Sequence, residues 1–277
     1  MVYDINGNII GDVNEKNIFE DVISYDYKRD ETTGVFYTII HIPQTAPNGE
    51  KQYPFIYWPE YPNGGIESTF QMNQRKKFLV AINAGRFAEP FGAGVSRTGV
   101  PLGTVIQNSV DCSVRENGRT WDRVLTIKNN GELGYAELNA LPATLISNGV
   151  VSASTGFIPL IINFKNAEDV DSSITVSAGD TAQRLAICQY NNGDYLIIGA
   201  EARGNQSATG STSEGMTLAQ LQTICKNLGV KFAYALDGGG SMELVTGQRQ
   251  LNPFYDDTYG RKVPVYIVFN GTTSFPD

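Results

Sequence analysis

Histidine is almost absent from this chain of 277 residues, because His41 is the only one. A nucleophile of the Ser-His-Asp or Cys-His type would have to recruit that side chain. His41 lies in the β-like run at 35–42, where burial is its expected role. The sequence also has no His-Glu-x-x-His motif, Walker loop or dinucleotide-binding glycine pattern. Carboxylate chemistry, supported by arginine, amide and backbone donors, is therefore favoured over histidine-based catalysis.

Cysteines and long apolar runs are also scarce. Cys112, Cys188 and Cys225 include no Cys-x-x-Cys pair, which disfavours a zinc site or a dithiol redox site. Cys225 has a core-like spacing on a predicted helix, so we expect it to be buried. No signal peptide or membrane-spanning run is visible. We therefore expect no membrane insertion, and a protein that is cytoplasmic as made, or virion-associated if it is encoded by a phage.

Positive charge is in deficit, since 21 Lys and Arg residues face 29 Asp and Glu residues and the net charge is −8. A negative chain is repelled by nucleic acids and by anionic membranes, so neither is an expected partner. An anionic substrate would have to be bound by a few local arginines.

Glycine and aromatic residues are plentiful, with 29 glycines and an aromatic content of 10%. Together with many short β-like runs, this composition predicts an α+β fold: a mixed, mostly antiparallel β-sheet core with a few helices in a single globular domain. Residues 1–65 are expected to form a β-rich N-terminal extension of the main domain at 66–277. The oligomeric state is left open.

The chain pattern also places individual elements. Helices are predicted near 66–76 and 218–228, and hairpin turns at Asn6-Gly7, Asn129-Asn130-Gly131 and Asn191-Asn192-Gly193. Pro264 argues for an edge or entry position in the last predicted strand. The other strands are predicted near 78–82, 103–107, 123–128, 144–146, 157–164, 184–190 and 195–200, and the last one spans 263–269.

A carboxylate and three adjacent glycines follow the apolar run at 232–235, in the order Asp237-Gly238-Gly239-Gly240-Ser241. A turn of this kind can bring backbone N–H groups close to a ligand, although three glycines can also form a plain mobile turn. The helix predicted before it has a capping box at Thr217 and Gln220 and a terminating glycine at Gly229. The turn thus follows a helix and a strand that are both clearly predicted. This rigid support favours a ligand-binding site over a plain mobile turn.

The chemistry of the leaving group determines which hydrogen-bond donors such a site needs. If a sugar leaves from a phosphate ester, positive charge and N–H groups on the phosphate matter more than strong acid catalysis. Arg184, Arg261 and the backbone of the three glycines would be the natural donors.

Taken together, these residues resemble the phosphodiester glycosidase family across roughly 78–270. The most specific part is Gly215-Met216-Thr217-Leu218 followed by the Asp-Gly-Gly-Gly-Ser turn at 237–241. Four weaker segments, at 81–87, 145–149, 183–187 and 261–264, occur in the same order. The resemblance implies a mixed α+β domain whose polar turns converge on one pocket, and hydrolysis of a sugar-1-phosphodiester. The chain departs from the family pattern at Ala84, Arg86-Phe87 and Met242, which bears on specificity more than on fold.

The candidate catalytic residues are Asp237 and Glu243, where Glu243 is placed two residues beyond Ser241 on a presumed strand and Glu201 and Glu214 are weaker alternatives. No cofactor is certain, the metal is unknown, and Ca²⁺ near Asp237 is left open. The expected partner is a phosphate-linked sugar or glycopolymer. The candidate substrate-binding residues are Asn83, Asn148, Arg184, Gly238, Gly239, Gly240, Ser241 and Arg261.

Two other functions fit the same residues. One is a non-catalytic module that binds carbohydrate or phosphate on a phage tail or a cell-wall-associated particle. The other is a cytoplasmic hydrolase of small ligands that resemble nucleotide sugars.

Overall fold

The computed structural model describes residues 18–59, 66–87, 99–113, 123–137, 139–168, 170, 180–202, 215–247, 249–252 and 260–276, and the backbone of 2–3 and 9–11. In these residues the chain forms three α-helices, α1 (Thr69–Lys76), α2 (Pro142–Ser147) and α3 (Leu218–Asn227). The strands up to α2 are β1 (Val2–Tyr3), β2 (Ile9–Gly11), β3 (Ser24–Arg29), β4 (Phe36–Ile42), β5 (Pro54–Tyr57), β6 (Val80–Asn83), β7 (Val105–Gln107), β8 (Val110–Asp111), β9 (Val124–Lys128) and β10 (Leu133–Ala136). The later strands are β11 (Val150–Thr155), β12 (Pro159–Ile162), β13 (Lys165–Asn166), β14 (Arg184–Gln189), β15 (Tyr195–Ala200), β16 (Phe232–Ala235), β17 (Leu244–Thr246), β18 (Arg249–Gln250) and β19 (Tyr266–Phe269).

Most of these strands belong to three sheets. Sheet A has the order β13-β12-β16-β14-β15-β4-β3, sheet B the order β18-β17-β6-β19-β5, and sheet C the order β10-β9-β11-β7-β8. The strands β1 and β2 pair separately. Every strand pair in the described residues is antiparallel. The predicted α+β class with a mostly antiparallel core is therefore confirmed.

Sheet A contributes to two buried clusters, one on each face. On one face its Leu185 and Ile197 share a cluster with Ile82 and Leu244 of sheet B. On the other face β14 and β16 contribute to a cluster with the apolar side of α3, which includes Leu221 and Cys225. Alternate residues of a strand point to opposite faces, which is how β14 serves both clusters.

Helix α3 follows the sequence prediction closely. Thr217 is its N-cap, and its side chain accepts the Gln220 N–H while the Gln220 side chain accepts the Thr217 N–H. Gly229 follows the helix with φ +73°, a left-handed conformation that suits glycine. Cys225 is fully buried, as predicted.

The predicted strand at 144–146 is wrong, because those residues lie in helix α2. Pro142 occupies the first turn of that helix, where the fixed φ of proline favours a helical start. An apolar run of three residues carries too little periodicity to distinguish a strand from a helix. Helix α1 begins at Thr69 rather than 66, because Ser68 and Gln71 form a capping box.

The last strand is shorter than predicted and lies inside its sheet. It begins at Tyr266 and is paired on both sides, with β6 and with β5. Pro264 precedes it, which agrees with an entry position and not with an edge.

His41 also differs from expectation, because its side chain is 38% exposed and lies 3.4 Å from Asp194.

The predicted hairpins join β9 to β10 and β14 to β15. Strands β1 and β2 pair as the Asn6-Gly7 turn predicts, although the turn itself lies outside the described residues. Strands on the N-terminal side of residue 65 are integrated into the sheets, since β4 pairs with β15 and β5 with β19. The domain boundary near residue 65 stays a prediction.

None of the helices in the described residues is long and apolar enough for a membrane crossing.

We expect Thr217→Ala to lower the free energy of unfolding by about 1 kcal/mol, because the first turn of α3 loses its cap. Thr223→Ala is the matched control, since Thr223 is exposed on the same helix and bonds the Ala219 carbonyl. Urea denaturation followed by circular dichroism measures both variants. Equal stability of the two variants would contradict a capping role for Thr217.

Candidate functional site

The Asp-Gly-Gly-Gly-Ser turn lies between the end of β6 in sheet B and the start of β14 in sheet A. The Leu236 N–H donates to the Leu185 carbonyl (2.9 Å), and the Asp237 N–H donates to the Ala84 carbonyl (3.2 Å). The Gly239 N–H donates to the Gln183 carbonyl (2.9 Å). These backbone bonds fix the turn on two sheets at once.

Asn83, the last residue of β6, holds both ends of the turn. Its side-chain Nδ2 donates to the Asp237 carbonyl at 2.7 Å, and its Oδ1 accepts the Glu243 N–H at 3.0 Å. The residue is 1% exposed. Asn83 therefore positions the turn, whereas direct contact with a sugar, as considered from the sequence, stays a prediction.

The glycines are required by close approach and by backbone angle. A Cβ on Gly238 would lie 2.4 Å from the Gln183 carbonyl oxygen, which no real side chain could tolerate. Gly239 opens a 3₁₀ turn, Gly239–Ser241, with φ +55°. Within the described part of the chain, the buried N–H groups of Gly238 and Gly240 meet no acceptor, whereas that of Gly239 is bonded to Gln183. These two N–H groups are candidate donors for a ligand oxygen.

Arg184 is a buried cation next to the turn, with only 3% of its surface exposed. Its Nε donates to the Met216 carbonyl (2.9 Å) and its Nη2 to the Asp180 carbonyl (2.5 Å). Burial lowers the pKa of Arg184 to about 10, while the nearby carboxylates of Asp180 and Asp237 act in the opposite direction. Arg184 therefore places a fixed positive charge near the partly exposed Asp237.

Arg86 is the functional candidate that the sequence prediction missed. It is partly exposed, and its guanidinium carbon lies 4.0 Å from the centre of the Phe157 ring. Stacking on an aromatic face orients the planar guanidinium group. Arg86 is also close enough to Arg184 for their like charges to lower the pKa of Arg184. The available signal was its position three residues after Asn83 in the same segment.

Glu243 lies deeper than Asp237 and is 1% exposed. Its Oε2 accepts the N–H of Phe70 in the first turn of α1 at 2.9 Å. A carboxylate at a helix N-terminus is favoured by the N–H groups there and by the helix dipole. A Cβ on Gly260 would lie 1.7 Å from Glu243 Oε1, so the Glu243 carboxylate is seated directly against the backbone of Gly260, where only glycine leaves room for it. The contacts give Glu243 a structural role, and its catalytic role stays a prediction.

The remaining predicted residues divide into near and distant ones. Ser241 is fully buried, and its Oγ accepts a long hydrogen bond from Arg261 Nη1 at 3.4 Å. Asn148 is exposed at the end of α2, just before β11 begins, whereas the other end of β11 contacts the site through Thr155 and Gly85. Those ends are about 16 Å apart at the usual rise of a strand. The structure therefore does not bring Asn148 to the site.

The alternative carboxylates are only partly described. Glu201 directly follows β15, the strand that pairs with β14, and is 6% exposed. Glu214 lies outside the described residues. Among the described residues, no three His, Cys, Asp or Glu side chains cluster as a metal site would require. The calcium ion considered from the sequence stays untested.

Comparison with known proteins identifies a family and similar folds. A sequence model of the phosphodiester glycosidase family matches residues 76–270. The catalytic domain of zebrafish N-acetylglucosamine-1-phosphodiester alpha-N-acetylglucosaminidase, auto-inhibited by its pro-peptide, is similar with a TM-score of 0.65 and 19% identity, over 90% of this chain and 82% of that one. A hypothetical protein from Synechocystis is similar with a TM-score of 0.61 and 15% identity, over 89% of this chain and 61% of that one. No curated protein sequence matches.

We expect Gly260→Ala to be more destabilising than Gly229→Ala. The two glycines have nearly the same φ, +74° and +73°, so a left-handed alanine costs about 1 kcal/mol at either position. Only the Gly260 variant also displaces the Glu243 carboxylate, which adds about 1–3 kcal/mol of overpacking. Denaturant unfolding of both variants tests this difference. Equal losses of stability would show that the Glu243 carboxylate is not seated on Gly260.

Proposed function

Because this chain belongs to the phosphodiester glycosidase family, we propose that it hydrolyses the bond between a sugar and a phosphate ester. The observation that carries the proposal is the juxtaposition of a partly exposed carboxylate, Asp237, with the two available N–H groups of Gly238 and Gly240. The carboxylate suits the positive charge that develops on the sugar ring, and the N–H groups suit the departing phosphate oxygen.

The proposed reaction is a displacement at the anomeric carbon. The bond from that carbon to the phosphate oxygen breaks, the oxygen keeps the electron pair, and water supplies the new hydroxyl group. A phosphate monoester is a weak base, so its departure needs less protonation than that of an alkoxide. This requirement agrees with a site that offers N–H donors and arginine and in which no histidine of the described residues takes part.

The two arginines are proposed to have different tasks. Arg184 is buried, and two of its nitrogens already bond carbonyl groups, so its charge holds the Asp237 carboxylate in place. Arg86 is partly exposed and oriented by Phe157, so we assign contact with the phosphate to it. This assignment replaces Arg184 as the phosphate ligand expected from the sequence.

A binding module without turnover is the second candidate. The observation that favours it is the structural engagement of Glu243, which leaves Asp237 as the accessible carboxylate of the turn. Glycosidases usually employ a pair of carboxyl groups. Activity measurements distinguish the two candidates directly.

We expect Asp237→Asn to reduce hydrolysis by at least about 100-fold, because the amide cannot supply the carboxylate charge. The assay incubates a panel of sugar-1-phosphodiesters with each protein and measures the free sugar that is released. Asp26→Asn is the control, since it removes one carboxylate that is 68% exposed on β3.

Full activity of the Asp237 variant would remove this residue from the mechanism. Binding of a phosphodiester by the wild-type protein without turnover of any panel member would favour the module.

We expect Arg86→Gln to lower kcat/KM for a phosphodiester by roughly 10- to 100-fold, the usual loss for a hydrogen bond to a charged group. An uncharged aryl glycoside of the same sugar should be affected much less, because it offers no phosphate to the guanidinium. Arg29→Gln on the exposed strand β3 controls for the change in net charge. An equal loss on both substrates would contradict phosphate recognition by Arg86.

A further inference from the structure

The hairpin between β12 and β13 has a backbone conformation that suits its sequence poorly. Its two-residue loop consists of Asn163 with φ +49° and Phe164 with φ +65°. Two left-handed residues in such a loop define a type I′ turn, where glycine is preferred at the second position. Phenylalanine is an outlier in this conformation, since its bulky side chain is strained there.

Burial does not explain why phenylalanine occupies this position. The residue is 45% exposed, although the turn itself is well fixed. The Phe164 N–H donates to the Lys231 carbonyl at 3.0 Å, and the Phe164 carbonyl accepts from Lys226 Nζ. A strained, exposed aromatic side chain on a fixed backbone points to a use of the ring outside the core.

The ring lies on a surface groove with a volume of about 410 Å³. This volume is within the range of small-ligand sites. The aromatic residues of the groove are Phe164 and Tyr190, and the polar ones are His41, Asn191, Asn192 and Asp194, with Gly229 completing the lining.

The polar side of the groove is pre-organised around Asp194. Its Oδ1 accepts the Gln44 N–H at 2.9 Å, and its Oδ2 accepts Asn192 Nδ2 at 2.9 Å. His41 Nε2 lies 3.4 Å from Oδ2, and the His41 ring contacts the Tyr190 ring edge-on. The groove thus presents fixed carboxylate, amide and imidazole groups beside two aromatic side chains.

This combination fits a neutral saccharide. A pyranose ring has an apolar face of C–H groups that can pack on an aromatic ring, and hydroxyl groups that both donate and accept hydrogen bonds. A phosphate or another anion is disfavoured, because the lining contains a carboxylate and neither Lys nor Arg, and the adjacent Lys226 Nζ is already bonded to the Phe164 carbonyl. We propose that this groove binds a neutral hexopyranose unit, with the sugar face on Phe164 and its hydroxyl groups on Asp194 and Asn192.

The groove is separate from the Asp237 site. Strand β14 begins at Arg184, beside the Asp-Gly-Gly-Gly-Ser turn, and Tyr190 follows its other end. Six residues of strand span about 20 Å. A single sugar cannot occupy both places, whereas a glycopolymer of several units can contact both. Binding in the groove is independent of the proposed hydrolysis.

The test measures binding of neutral sugars by saturation-transfer NMR and calorimetry. The probes are glucose, galactose, mannose, N-acetylglucosamine and their β-1,4-linked disaccharides. We expect the wild-type protein and Asp237→Asn to bind at least one probe with the same affinity. Asp194→Asn should weaken that binding, because one strong hydroxyl acceptor becomes an amide.

Phe164→Gly is the decisive variant. Glycine suits the type I′ turn, so we expect the melting temperature to rise while the affinity for the sugar falls at least tenfold. Tyr25→Ala is the matched control, because it removes another exposed aromatic ring, 53% exposed on β3, and should leave the affinity unchanged.

Four outcomes would overturn the inference. These are failure of the wild-type protein to bind any probe, unchanged affinity in Phe164→Gly, a lower melting temperature in that variant, and loss of binding in Asp237→Asn. The readout is binding of uncharged sugars, so it can succeed or fail whether or not the protein hydrolyses phosphodiesters.

Discussion

The pair of hydrogen bonds made by Asn83 is the constraint on which the site depends. One side-chain amide bonds the chain at Asp237 and again at Glu243, and so fixes both ends of a segment that contains three glycines. Without such a clamp, those glycines would have the largest backbone freedom of any residues. Asn83, which forms this clamp, belongs to β6. Because β6 is an inner strand of sheet B, the turn is held by a rigid part of that sheet.

Charge near the turn is organised in two layers. Arg184 is buried, and its positive charge attracts the negative charge of Asp237 from the interior of the protein. Arg86 is partly exposed and lies nearer the surface. A buried guanidinium is tolerated because backbone carbonyls accept its N–H groups. A chain of net charge −8 thereby keeps two positive charges close to Asp237.

The sequence predicted the elements with strong local signals. Helix α3 was recognisable because its cap, its apolar spacing and its terminal glycine all agree, and the family motifs identified the turn at 237–241. Helix α2 was missed because three apolar residues are ambiguous and only Pro142 marks the helix start. Local pattern was sufficient wherever several independent signals coincided.

Roles that depend on tertiary contacts were beyond the sequence. Nothing in the local sequence of Glu243 shows that its carboxylate caps a helix 173 positions earlier. Similarly, the exposure of Arg86 relative to Arg184 follows from how the sheets pack and not from either segment alone. Candidate residues could thus be selected from motifs, but their burial and their hydrogen-bond partners required the fold.

The internal position of β19 has a consequence for the order of assembly. This strand comes from 266–269, yet it lies between β5 and β6, which come from the first third of the chain. During synthesis on the ribosome, β5 and β6 therefore emerge long before the strand that joins them. Sheet B, and with it the clamp on the glycine turn, can reach its final hydrogen-bonding pattern only after residue 269 has left the exit tunnel.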